Sequence, residues 1–198
     1  MPTVGRGQAL VDDPVARLLV SEAHSRMYKW PSSFAGYRAH VTLNEDGRIW
    51  AGEVTLVPRK DIAVELAGVD PSLQEWVRER LWTQGMHLAS GSFEEGDGKY
   101  VLSFDPEENP AVLHPRGRRV LLTGGRLESW YRIKNHLYTQ IGRLTPMTER
   151  RVNTIERYEQ APDGRQYSSR YVMTYSTLDA QSVSGMESYV NEYLDVDG

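Results

Sequence analysis

Between Gly36 and Val57, apolar and polar positions alternate in two runs separated by Asn44-Glu45-Asp46-Gly47. Gly47 can take the positive φ that closes a short loop, so the pattern predicts a β-hairpin. Registered across a four-residue loop, Leu43 falls opposite Arg48, Val41 opposite Trp50, Ala39 opposite Gly52 and Tyr37 opposite Val54, a largely apolar face. The other face pairs Thr42 with Ile49, His40 with Ala51 and Arg38 with Glu53, the last an opposite-charge pair. One face reads as core and one as wet.

The same reading extends along the chain. Asp12-Asp13-Pro14 is a helix start, and Ala16, Leu19, Ala23, Met27 and Trp30 recur at helical intervals until Pro31, which predicts one amphipathic helix. That helix is expected to dock on the hairpin's face of Tyr37, Val41, Trp50 and Val54. Ile62, Val64 and Leu66 predict a third strand. Asp70-Pro71 opens a second helix, with Ser72 and Glu75 as a capping box and Leu73, Trp76, Val77, Leu81 and Trp82 as its apolar stripe.

From residue 90 onward, turn signals at 94–99, 105–110, 114–118 and 123–125 separate short strands. A two-residue turn at Asn135-His136 pairs Ile133 with Tyr138, Arg132 with Thr139, Trp130 with Ile141 and Glu128 with Arg143. Pro162-Asp163-Gly164 pairs Ile155 with Tyr171, Asn153 with Met173, Arg151 with Tyr175 and Glu156 with Arg170. A last alternating piece runs from Met186 to Leu194, and the chain reaches Gly198 without a closing signal, which leaves the protein's natural end open.

The sum is about ten or eleven antiparallel strands after and between two helices in the N-terminal half, an α+β class. One continuous sheet of that size must curl, giving an incomplete barrel whose hollow face the helices cover. Residues 1–11 read as a flexible arm and 12–198 as a single half-barrel domain.

Composition narrows the function classes. A formal charge of −4 argues against a nucleic-acid partner. The absence of cysteine excludes disulfides, thiolate metal sites and cysteine nucleophiles. The N-terminus lacks the pattern of a signal peptide and no stretch reads as a membrane span, so a cytoplasmic location is expected. The five histidines are scattered, none beside another at metal-ligand spacing, and the common phosphate-loop, dinucleotide and hydrolase motifs are missing, so no metal and no cofactor is expected.

Two resemblances bear on the fold. A helix followed by SSFAGYRAHVTL, DGRIWAGEVTLV and a VELAG strand resembles the start of the outer-membrane lipoprotein carriers and the related fold of a violacein-pathway enzyme. That resemblance implies an incomplete barrel around helices, with a hydrophobic cavity. The segments MYKWPSSFAGYRAHVTL, WYRIKNHLYTQIGR and RVNTIERYEQAPDGRQYSSRYVMTYS, within Asp13 to Asp195, are similar to an uncharacterised family found mainly in cyanobacteria and photosynthetic relatives. It implies fold and carries no catalytic residues over.

Eleven tyrosines and five tryptophans stand against three phenylalanines, a supply of side chains with an apolar body and a polar tip. Arg151, Asn153, Ile155, Arg157, Tyr171, Met173 and Tyr175 share one predicted face of the late hairpin that is neither clean core nor clean surface. Such a face either lines a pocket or lies half exposed on the outside of a sheet. Trp130 and Arg143, placed with Ile141, face the hollow or else Arg143 pairs with Glu128 at the surface; in the hollow, Arg143 would hold a carboxylate or phosphate end of a greasy ligand. Trp82 is core or ligand contact, and His40, the one side chain suited by type to acid–base work, sits on a polar face.

The expected function is therefore a soluble binding protein for a hydrophobic small molecule, a lipid, isoprenoid or pigment-like compound. Its candidate ligand-binding residues are Trp82, Trp130, Arg143, Asn153, Arg157, Tyr171, Met173 and Tyr175. A cofactor-independent enzyme acting on a hydrophobic intermediate and an interaction module using a sheet edge, including a homodimer paired there, are the alternatives.

Overall fold

The computed structural model describes residues 11–89, 91–125, 127–144, 149–178 and 181–192. The expected arm, but for Val11, and the end of the last alternating piece at Leu194 lie outside these residues. The chain divides into two compact units, Lys29–Gly91 and the segments flanking it.

In the inner unit, β1 (Tyr37–Glu45), β2 (Arg48–Val57) and β3 (Asp61–Leu66) form a three-stranded antiparallel sheet, with α2 (Pro71–Leu88) against β3. The hairpin's register differs from expectation by two residues: Leu43 faces Trp50 and Tyr37 faces Leu56. Asp46 as well as Gly47 takes positive φ, so the loop is a two-residue turn, and the Asn44 side chain accepts from the Gly47 N–H at 2.9 Å. A slip of two leaves each side chain on its expected face. Arg38 still reaches Glu53, Nε to Oε2 2.9 Å, from a diagonal position.

Beneath the sheet, Val54, Leu56, Ile62, Val64 and Leu66 are buried with Val77 of α2. A Cβ on Gly85 would lie 2.4 Å from Leu56 Cδ1, so glycine there lets helix and sheet approach. Asp70 caps α2, accepting from the Ser72 N–H at 2.8 Å, while Glu75, the expected capping-box partner, pairs with Arg78.

In the other unit, α1 (Pro14–Arg26) precedes β4 (Val101–Phe104), β5 (Arg118–Thr123), β6 (Ser129–Lys134), β7 (Leu137–Leu144), β8 (Glu149–Gln160), β9 (Gln166–Thr177) and β10 (Val183–Val190). These strands form a seven-stranded antiparallel meander in the order β10-β9-β8-β7-β6-β5-β4, not closed into a barrel. The α+β class and the dominance of one large antiparallel sheet are as expected. The single continuous sheet is corrected: the ten strands of the described residues hydrogen-bond as three and seven, because α2 and the loop after it interrupt the succession of hairpins.

The docking of α1 is corrected too. Its buried residues Ala16, Val20 and Ala23 pack into a core with Leu102, Val120, Leu122, Tyr131, Ile133, Tyr138, Ile155 and Tyr171 of the seven-stranded sheet, while α2 covers the hairpin's apolar face. Asp13 caps α1 by accepting from Val15 and Ala16 N–H, and the helix ends at Arg26, short of the expected Trp30. Arg17 ties the helix to the next segment. It pairs with Asp12 at 2.6 Å and donates to the carbonyls of Gly98 and Tyr100, both at 2.9 Å.

Candidate functional site

Two β-bulges decide which side chains share the helix-facing side of the seven-stranded sheet. Around the Asn135-His136 turn, Ile133 faces Tyr138 as expected, but Arg132 then faces Gln140, leaving Thr139 as one extra residue on β7. Beyond the bulge every residue of β7 is displaced by one. Ile141 faces Tyr131 instead of Trp130, and Arg143 faces Ser129 instead of Glu128. Arg143 and Ile141 therefore join Tyr131 on the helix-facing side, and Trp130 lies on the opposite one, over Gly142. A Cβ on Gly142 would fall 2.0 Å from the Trp130 ring.

In the late hairpin the expected pairs Ile155–Tyr171, Asn153–Met173 and Arg151–Tyr175 are all formed. Next to them, Glu156 and Ser169 are each left unpaired, so Tyr158 rather than Arg157 packs against the core. Arg157 is exposed and pairs with Glu159 at 3.1 Å. Arg170 reaches Glu156 at 3.0 Å.

Two adjacent rows cross the helix-facing side. One runs Ser129, Arg143, Arg151, Tyr175; the other runs Tyr131, Ile141, Asn153, Met173, Glu187. At the Tyr131 end is a cleft of about 310 Å³ whose wall combines Tyr100, Leu122, Leu127 and Tyr131 with Asp97, Ser129 and Arg143. The short 3-10 helix Asp97–Lys99, fixed by Arg17, supplies Asp97. Its carboxylate accepts from the Tyr131 hydroxyl at 3.0 and 3.1 Å.

Burial, then the neighbouring Asp97 charge, pushes the Tyr131 phenol well above its ordinary value, with Arg143 acting in the opposite direction. The hydroxyl is therefore a donor at neutral pH and not a base. Arg143 is exposed at the cleft and faces Arg151 on the next strand. Among the described residues neither arginine has a carboxylate within ion-pairing distance. Arg151 lies over the Tyr175 ring at 5.1 Å, and its buried Nε and the buried Oδ1 of Asn153 have no hydrogen-bond partner. Two guanidiniums and an unsatisfied amide oxygen beside an aromatic wall can hold an anionic or polar group while the wall takes an apolar body.

The model of the family described as "Protein of unknown function (DUF3386)" matches residues 11–198. The chain belongs to that family. No curated protein and no solved structure matches it significantly. Membership of DUF3386 thus leaves the site to be read from its own geometry.

Of the residues singled out from the sequence, Arg143, Asn153, Tyr171, Met173 and Tyr175 share the helix-facing side. Trp130 is on the other face, Arg157 is outside the row, and Trp82, on α2, packs against the core of the inner unit. His40 is exposed on β1. Asp97, Tyr100 and Ser129 had no signal, because EEGDGK reads only as a turn and the bulge hides which neighbours Tyr131 keeps. Among the described residues no three acidic or histidine side chains are placed to hold a metal ion, and no helix is long and apolar enough to cross a membrane.

Proposed function

We propose that this chain binds a hydrophobic small molecule carrying one acidic end, of the lipid, isoprenoid or pigment-like kind, on the helix-facing side of its seven-stranded sheet. The apolar body lies against Tyr100, Leu122 and Tyr131, and the acid is held by Arg143 with Arg151 behind it. The observation that carries this reading is Arg143, without a carboxylate in ion-pairing distance among the described residues and facing Arg151 on the next strand, at a cleft whose walls set Tyr100, Leu122, Leu127 and Tyr131 beside the polar Asp97 and Ser129. An open antiparallel sheet with a helix packed on one side also suits the incomplete barrel of the lipoprotein-carrier type, and we read the fold in that sense.

Native mass spectrometry of the full chain with straight-chain carboxylic acids and the matching alcohols tests this. One-to-one adducts that favour the acid are expected. Arg143→Gln loses a charge-assisted contact of about 1.5–3 kcal/mol, hence roughly 10- to 100-fold in acid affinity, and leaves alcohol binding unchanged. Equal binding of acid and alcohol, or acid binding untouched by the substitution, contradicts it.

Catalysis without a cofactor in the same cleft is a second reading, favoured by the hydrogen-bonded Tyr131–Asp97 pair beside Arg143, a phenol and a carboxylate able to relay a proton. Turnover would then vanish in Tyr131→Phe while ligand binding persists.

A further inference from the structure

On the opposite side of the same sheet, Trp130 lies in a different setting. Its indole crosses β7 over Gly142, and two guanidiniums flank it, Arg119 with Cζ at 4.6 Å from the ring centroid and Arg150 at 5.8 Å. They border a cleft of about 380 Å³ to which Arg132, His114 and the hydroxyl-bearing Thr154 and Ser176 also contribute. The charge count is uneven. Arg119 pairs with Asp105 at 3.0 Å and Arg132 with Glu108, whereas Arg150 has no carboxylate within ion-pairing distance among the described residues. The buried Nε of Arg119 is without a hydrogen-bond partner.

Two of the remaining polar groups present donors. His114 Nδ1 accepts from the Arg116 N–H at 3.1 Å, which places the neutral ring's proton on Nε2. Thr154 Oγ1 accepts from Gln140 at 3.0 Å, which leaves its own hydrogen free to donate. Burial lowers the Arg119 pKa, opposed by Asp105 and reinforced by Arg132 and Arg150. Arg132 and Arg150 thus act on Arg119 across the cleft, against Asp105 and Glu108. Excess positive charge, a forked guanidinium without a partner and an indole edge are what a tetrahedral oxyanion on a small molecule requires.

We propose that this face carries a second binding site, distinct from the helix-facing cleft, for a phosphate-type oxyanion held by Arg150 and Arg119 beside Trp130. Both inorganic phosphate and a phosphate monoester supply that chemistry.

Isothermal titration calorimetry of the full chain at low ionic strength, with inorganic phosphate in one arm and phenyl phosphate in the other, separates the sources. One saturable site is expected. Tighter binding of phenyl phosphate assigns the site to a monoester whose body meets Trp130; equal binding assigns it to the phosphate group alone. Arg150→Gln is expected to weaken binding about 10-fold or more. Arg150→Lys, which keeps the charge and loses the fork, falls between it and the wild type. Arg170→Gln, on the same face but paired with Glu156, leaves binding within about 2-fold. Circular dichroism checks that each variant is folded, and where Arg150→Gln is not, Arg150→Lys decides. No saturable heat with either anion, or folded Arg150 variants binding as the wild type does, overturns the proposal.

Discussion

Arg150 and Arg151 are neighbours in sequence and leave β8 on opposite sides, Arg150 toward Trp130 and Arg151 toward Tyr175. Strand alternation alone produces this split, and it puts one β8 arginine without a carboxylate partner among the described residues on each face of the sheet. Tyr131 shows the converse, a polar tip fully provided for. Its hydroxyl donates to Asp97, and its ring packs edge-on against Tyr138 with centroids 5.0 Å apart. Tyr131→Phe removes one buried hydrogen bond and is expected to cost about 1 kcal/mol, read as a lower urea midpoint at unchanged m-value. A midpoint equal to the wild type would show that the Asp97 contact contributes nothing to stability.

At the scale of elements, the bulge at Thr139 has the largest consequence. It turns Ile141 and Arg143 toward the helix-facing side, and Gly142 then makes room for the Trp130 ring. Gly142→Ala is expected to overpack that site by about 1–3 kcal/mol and to shift tryptophan emission, both measured in a urea titration followed by fluorescence. In the inner unit, Leu56, 1% exposed beneath Gly85, is expected to cost about 2–5 kcal/mol on truncation to alanine by the same assay.

These elements also show how far alternation is legible. Ile155–Tyr171, Asn153–Met173 and Arg151–Tyr175 follow from a turn and a period of two. The same period of two puts Trp130 and Arg143 on one face, and the structure separates them, because a single unpaired residue inverts everything beyond it and Thr139 carries no local mark of that role. The first hairpin escaped this error. Its slip was of two residues, which preserves faces.

At the scale of the whole molecule, the core of the larger unit is held by tyrosines whose phenols burial pushes upward: Tyr131, Tyr138 and Tyr158. Below the ordinary tyrosine value near 10, these groups are protonated in both folded and unfolded chains, and their contribution to stability is fully present. Above it the unfolded chain releases protons that the folded core retains. Stability then falls by up to about 1.4 kcal/mol per pH unit for each phenol. Urea midpoints from pH 9 to pH 11.5 should drop steeply, and less steeply in Tyr138→Phe; a flat profile would show these phenols reaching solvent in the native state.

The number and antiparallel sense of the strands were legible because each hairpin is a local pattern. Their division into two sheets was not, since no alternation within a strand records which edge lies beside it after a helix intervenes. Of the cleft, only Arg143 is singled out by the sequence, and the bulge moves it one residue from its expected partner, whereas Asp97 reaches Tyr131 from a turn 34 residues away in sequence.

Amide chemical-shift mapping during titration with decanoate tests the central claim most directly. The account predicts saturable shifts concentrated at Tyr100, Ser129, Tyr131, Arg143 and Arg151. Shifts centred on Trp130 and Arg150, or within Lys29–Gly91, or none at all, would contradict it.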